Sequence, residues 1–235
     1  MELVFQFFKI IHIIGGFVAL FTFWIPVVTK KGGKIHNRAG WIYVYGMIIV
    51  AISAFFMGAY RILNGESSSE QVSFSWFLLF IAILSSSAAY YGLRVLKFKK
   101  RKVRHTHPVD LGFPLVLLFS GIGISIYGVT QNFPLLIWFP IVGILLGIVQ
   151  LKYWLQKPSK KMHWWYEHFS GMLGCSISTI TAFTVFGAPR LLHIESVSIW
   201  LWFIPTIIIT PMIIGFGIYY DRKFSGKKAK VAEEL

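Results

Sequence analysis

Seven apolar runs dominate the hydrophobic pattern of this chain, at residues 5–28, 39–60, 73–95, 111–131, 133–151, 164–186 and 197–220. A helix needs about 17 to 25 predominantly apolar residues to cross a bilayer. The pattern therefore predicts an all-α polytopic membrane protein of seven transmembrane helices, followed by a basic tail at 221–235. Only a short interruption around Gln131 to Phe133 separates the fourth and fifth runs, which predicts a tight antiparallel hairpin. Pro114, Pro134, Pro140, Pro205 and Pro211 are expected to start or bend helices.

Composition agrees with the pattern: 56% of the 235 residues are hydrophobic, 17% are aromatic and only 14% are charged. A soluble domain carries about a quarter charged residues. The basic residues then set the orientation. Of 23 Lys and Arg, 20 fall after the first, third, fifth and seventh helices, leaving Lys9, Arg61 and Arg190 elsewhere. Positive loops resist translocation, so the N-terminus is expected outside and the C-terminus in the cytoplasm. On this reading the net charge of +14 meets anionic lipid at the cytoplasmic loops rather than nucleic acid. The first run is too long for a signal peptide and lacks a small-residue cleavage site. The single cysteine, Cys175, excludes an intramolecular disulfide and a cysteine-based zinc cluster.

Small residues mark expected close contacts, with Gly143 and Gly147 on the fifth helix and His12, Gly16 and Ala19 sharing a face of the first. Ser85, Ser86 and Ser87 in the third helix, with Ser176, Ser178, Thr179, Thr181 and Thr184 in the sixth, make these the most polar helices. Their hydroxyls are expected either to bond back to a carbonyl or to line the interior.

Histidine is the main chemical content. His36, His105, His107, His163 and His168 fall at the cytoplasmic ends of helices, His12 lies within the first helix and His193 in an outer loop. In HWWYEHFSGMLGC, at 163–175, helical spacing separates two faces. His163 and Glu167 stand at i and i+4 and could chelate one ion, on a face that continues through Ser170, Gly174, Ser178 and Thr181 toward the expected interior. His168, Met172 and Cys175 form a second stripe, soft enough for copper or a haem axial position. Partners for the first face would be His36, His105 and His107, with Asp110 as a further oxygen ligand. Competing with this, Trp164, Trp165 and Tyr166 form an aromatic belt in which a histidine is simply interfacial, and His107-Pro108-Val109-Asp110 reads as a helix start. His12 lies roughly 15 to 20 Å from the cytoplasmic group at 1.5 Å per residue, too far to share a metal with it. No HxxxH spacing, no histidine boxes and no lysine in 197–220 are present, which argues against membrane di-iron enzymes, ceramidase-like zinc hydrolases and retinal proteins.

HIIGGFVAL at 12–20 and HNRAGWIYVYGM at 36–47 resemble a family of predicted bacterial multi-pass membrane proteins of unknown function. His12, Gly16, Ala19, Leu20, His36, Arg38, Gly40 and Tyr43 fit its pattern, whereas Asn37, Phe21 and Thr22 depart from it. The resemblance implies a bacterial inner membrane and makes His12 and His36 functional candidates, but it brings no reaction. The expectation is a His/carboxylate site for a transition metal or haem at the cytoplasmic face. The alternative is a proton or small-solute transporter, or an accessory subunit, using His12 and the hydroxyls of helices three and six.

Overall fold

The computed structural model describes residues 2–64, 67–194 and 198–233, with side chains as far as 224. Val197, the expected start of the last helix, and the side chains of the expected tail beyond 224 lie outside the described residues. Among the described residues, seven helices are long and apolar enough to span a membrane: α1 (Glu2–Val28), α2 (Lys34–Leu63), α3 (Ser69–Phe98), α4 (Pro108–Thr130), α5 (Pro134–Leu155), α6 (His163–Leu191) and α7 (Ile199–Phe224). The backbone helix that contains α7 continues to Glu233, so the basic tail extends the last span as helix rather than loop.

Local chemistry explains the boundaries. Ser68 and Gln71 close a reciprocal capping box at the start of α3. Pro108 occupies the first turn of α4, where no intrahelical N–H is needed. Prolines also interrupt spans that the hydrophobic pattern reads as continuous. α1 breaks at Phe23 ahead of Pro26, and α5 restarts at Pro140 after Trp138. A π-turn at Phe183–Gly187 widens α6 just before Pro189. Pro114 and Pro211 sit inside their helices.

α3 is the hub. It packs against α2, α4 and α6, while α1 lies on α2, α5 on α4, and α7 on α6. Accordingly 56% of the apolar stretch of α3 is buried, against 17% in α1 and in α7. Lipid tails are as apolar as leucine, so close backbone approach must supply the cohesion. Gly147 provides it as expected, since a Cβ there would lie 2.9 Å from the Pro114 carbonyl oxygen. In α1 the contact residue is Gly15, packed on Gly46, while a Cβ on Gly16 would meet open space. Of the expected face, His12 and Ala19 do meet α2, and only Gly16 is displaced, by its neighbour Gly15.

The ends of the helices define two faces. Arg101, just after α3, donates to carbonyls at the end of α5, and Lys160, just before α6, pairs with Asp221 at the end of α7. The loops following α1, α3 and α5 thus share one basic face with the end of α7. The half of the bundle away from this face is closed by Phe77, Phe80, Leu117, Leu136, Phe139 and Trp202.

Candidate functional site

The basic face is organised first around a buried carboxylate. Asp110, in the first turn of α4, is 0% exposed and accepts bonds from Arg94 Nε at 2.6 Å and Nη2 at 3.0 Å, Tyr90 Oη at 2.7 Å and His105 Nε2 at 2.6 Å. His107 Nδ1 stands 3.8 Å away. Four donors at bonding distance occupy the acceptor positions of a carboxylate. Asp110 is therefore a structural hub that ties α3, the following loop and α4 together, not an open oxygen ligand. His105 is spent on it, and His107 stacks beside His105 with ring centroids 6.1 Å apart.

Arg101 locks the same loop to α5. Its Nη1 donates to the carbonyls of Val103, Trp154 and Gln156, and its Nη2 to that of Tyr153, while the guanidinium lies 4.5 Å from the Tyr153 ring centroid. The planar fork of arginine suits such multiple bonding, which a lysine could not reproduce.

His163 and Glu167, the expected chelating pair, are each taken by a tyrosine from another helix. Tyr153 Oη bonds His163 Nδ1 at 2.8 Å, and Tyr91 Oη donates to Glu167 Oε2 at 2.5 Å. The two phenol rings meet edge to face, 5.6 Å apart. No ion pair joins His163 to Glu167 among the described residues, whose ion pairs involve Asp110 and Asp221. Nor do three His, Cys, Asp or Glu side chains cluster closely enough to hold a metal ion among the described residues. The expected assembly of His163, Glu167, His36, His105 and His107 is thus not gathered at one point. Its members belong to separate hydrogen-bonded groups.

The rotation of α6 explains part of this. Its buried positions are His163, Gly171, Cys175, Ser176, Thr179 and Thr181. The stripe turned inward is therefore largely that of His168, Met172 and Cys175, and not the one running through Ser170, Gly174 and Ser178. Gly171 decides it: a Cβ at this position would lie 2.8 Å from Gly92 Cα and 3.0 Å from the Ala88 carbonyl oxygen. α6 and α3 consequently touch backbone to backbone. Cys175 is packed into the core with Tyr43, Met47 and Ala88, and Met172 packs against the same cluster.

The same crossing brings His168 Nδ1 to the Gly92 carbonyl oxygen at 2.7 Å. On α2, His36 Nδ1 reaches the Pro26 carbonyl oxygen at 3.1 Å. A carbonyl only accepts, so Nδ1 carries a proton in each ring, and in the neutral imidazole Nε2 then keeps its lone pair. The two rings lie 6.4 Å apart, centroid to centroid. His12 repeats the motif deeper in the bundle. Its Nδ1 lies 2.9 Å from Ser53 Oγ and 3.2 Å from the Val50 carbonyl oxygen. Ser53 donates its own proton to Ile49 and Val50 carbonyls, so Nδ1 is again the donor. Ser53 lies about 25 Å beyond His36 along α2 at 1.5 Å per residue, which keeps His12 apart from the pair.

The hydroxyls of α3 and α6 combine both expected behaviours. Ser85, Ser176 and Thr184 bond back to carbonyls, while Ser87 reaches Gln150 at 3.1 Å and Thr179 reaches Met47 Sδ at 3.3 Å. Tyr91, Tyr153, Arg101 and Gly92 were not singled out by sequence. Tyr91 alone carried a usable signal, being a polar-tipped aromatic one turn from the serine run.

No curated protein and no solved structure matches the chain significantly. Residues 9–109, a segment that includes His12, His36, His105 and His107, match the model of a family described as predicted membrane protein (DUF2306).

Proposed function

We propose that this is a multi-pass protein of a bacterial inner membrane, with the basic face in the cytoplasm against anionic lipid, where His36 and His168 form a two-imidazole site for a transition metal. The observation that carries the reading is the pair itself. Two rings from different helices stand 6.4 Å apart, and each has Nδ1 bound to a backbone carbonyl. Such outer bonds fix the tautomer and orient Nε2 as a ligand in metal proteins. The reading narrows the His/carboxylate expectation, because Asp110 and Glu167 are engaged by other side chains.

The transport alternative draws less support. His12 is tied to Ser53, Ser87 is paired with Gln150, and aromatic and aliphatic side chains fill the half of the bundle away from the basic face. The test of the metal reading is element analysis and a visible spectrum of detergent-purified protein. A stoichiometric metal is expected, lost in His36→Ala and in His168→Ala and retained in His107→Ala. Metal content unchanged in both of the first two variants would sink the reading.

A further inference from the structure

Resting on the reading that sets the basic face against anionic lipid, we infer that a groove on α7 holds one anionic phospholipid of that leaflet, its acyl chain along the groove and its phosphate on Lys223. Met212, Gly215, Phe216 and Tyr219 line the groove. α7 packs on α6 through one face, where Phe216 meets Phe169, and Tyr220 meets Trp165 and Phe169. Met212, Gly215 and Tyr219 lie on the flank beside that face and are exposed. A Cβ on Gly215 would meet open space, so the glycine leaves the floor of the groove without a side chain.

Depth and charge choose the occupant. Tyr219 and Tyr220 are rings of the kind that sit at headgroup level, and Lys223 Nζ lies over both, 5.6 Å and 5.9 Å from their centroids. The ammonium is thereby held at the upper end of the groove by cation–π attraction. Met212 lies about 16 Å below Lys223 at 1.5 Å per residue, close to one leaflet's share of a hydrocarbon core roughly 30 Å thick. Among the described residues Lys223 has no carboxylate within 4 Å, and Asp221 is held by Lys160 and Tyr166. Its charge is therefore available to a phosphate, and a headgroup of net negative charge is favoured over a zwitterionic one, which brings its own ammonium. A second copy of this chain fits less well. A two-fold axis along the membrane normal would set each residue against its own copy, Lys223 facing Lys223, and the like charges would repel.

Native mass spectrometry of the full-length protein in detergent, equilibrated with phosphatidylglycerol or with phosphatidylcholine of matched chains, tests this. The expected result is one retained phosphatidylglycerol per chain, bound in preference to phosphatidylcholine. Lys223→Gln should lower that preference about fivefold, the size of one lysine acting at an anionic surface, and Gly215→Leu, which fills the groove, should weaken both lipids. Lys100→Gln, on the loop after α3, should leave both unchanged. A preference that survives Lys223→Gln, or falls equally in Lys100→Gln, would overturn the groove site while leaving the basic face against anionic lipid. No preference in the unaltered protein would overturn both. A dimer that Gly215→Leu dissociates would give the groove to a second copy and overturn the lipid assignment.

Discussion

Replacing Asp110 by Asn tests whether the basic face is built around an ionised carboxylate. The amide keeps the volume and one acceptor oxygen, but it turns a donor group toward the Oδ2 partners, Arg94 Nη2 at 3.0 Å and His105 Nε2 at 2.6 Å. Hydrogen bonds to charged groups contribute about 1.5–3 kcal/mol each. Arg94 and His105 are 21% and 17% exposed, so each recovers some water when the carboxylate is lost. Two effective bonds at the low end give about 3 kcal/mol, near the lower limit for breaking a buried ion pair. In a chain of this length that lowers the midpoint by about 6–12 °C, at 2–4 °C per kcal/mol. Cys175, 0% exposed and the only cysteine, serves as the internal reporter, because a fluorogenic maleimide labels it only on unfolding. A fall of less than about 3 °C would refute an ionised hub at Asp110.

Gly171→Ala should cost about 1–3 kcal/mol by overpacking, since its Cβ would meet the backbone of Gly92 and Ala88 rather than a movable side chain. It should also release His168 from the Gly92 carbonyl, so metal loading falls together with the melting midpoint; full loading at an unchanged midpoint would contradict the crossing. For orientation, Lys100→Cys and Asn132→Cys in a Cys175→Ser background are exposed to an impermeant maleimide on intact cells. Asn132→Cys should label and Lys100→Cys should not, and the reverse pattern would invert the topology.

The seven spans were legible because apolar length is a local property, and each expected run falls within or nearly within an observed helix. The proline breaks at Phe23 and Pro140 were half legible: proline removes one donor, but whether the helix then breaks or merely bends depends on its neighbours. Pro114 shows the latter, running on inside α4. The site was less legible for a similar reason. Spacing places His163 and Glu167 on one helical face, yet it says nothing of Tyr91 and Tyr153, which come from other helices and occupy them. The rotation of α6 depends on whether Gly171 or Gly174 faces α3, and both glycines read alike in sequence. His36 and His168 were each visible as candidates, but only the fold pairs them.

The backbone crossing at Gly92 and Gly171 also orders events during biosynthesis. His36 enters the membrane with the second helix, while the carbonyl that orients His168 and the imidazole it orients lie 76 residues apart in the chain. A nascent chain that stops before the sixth helix has one half of the pair and cannot hold a ligand between two rings. Occupancy of the proposed site is therefore a mark of completed synthesis, one that a truncated or partly inserted product cannot carry.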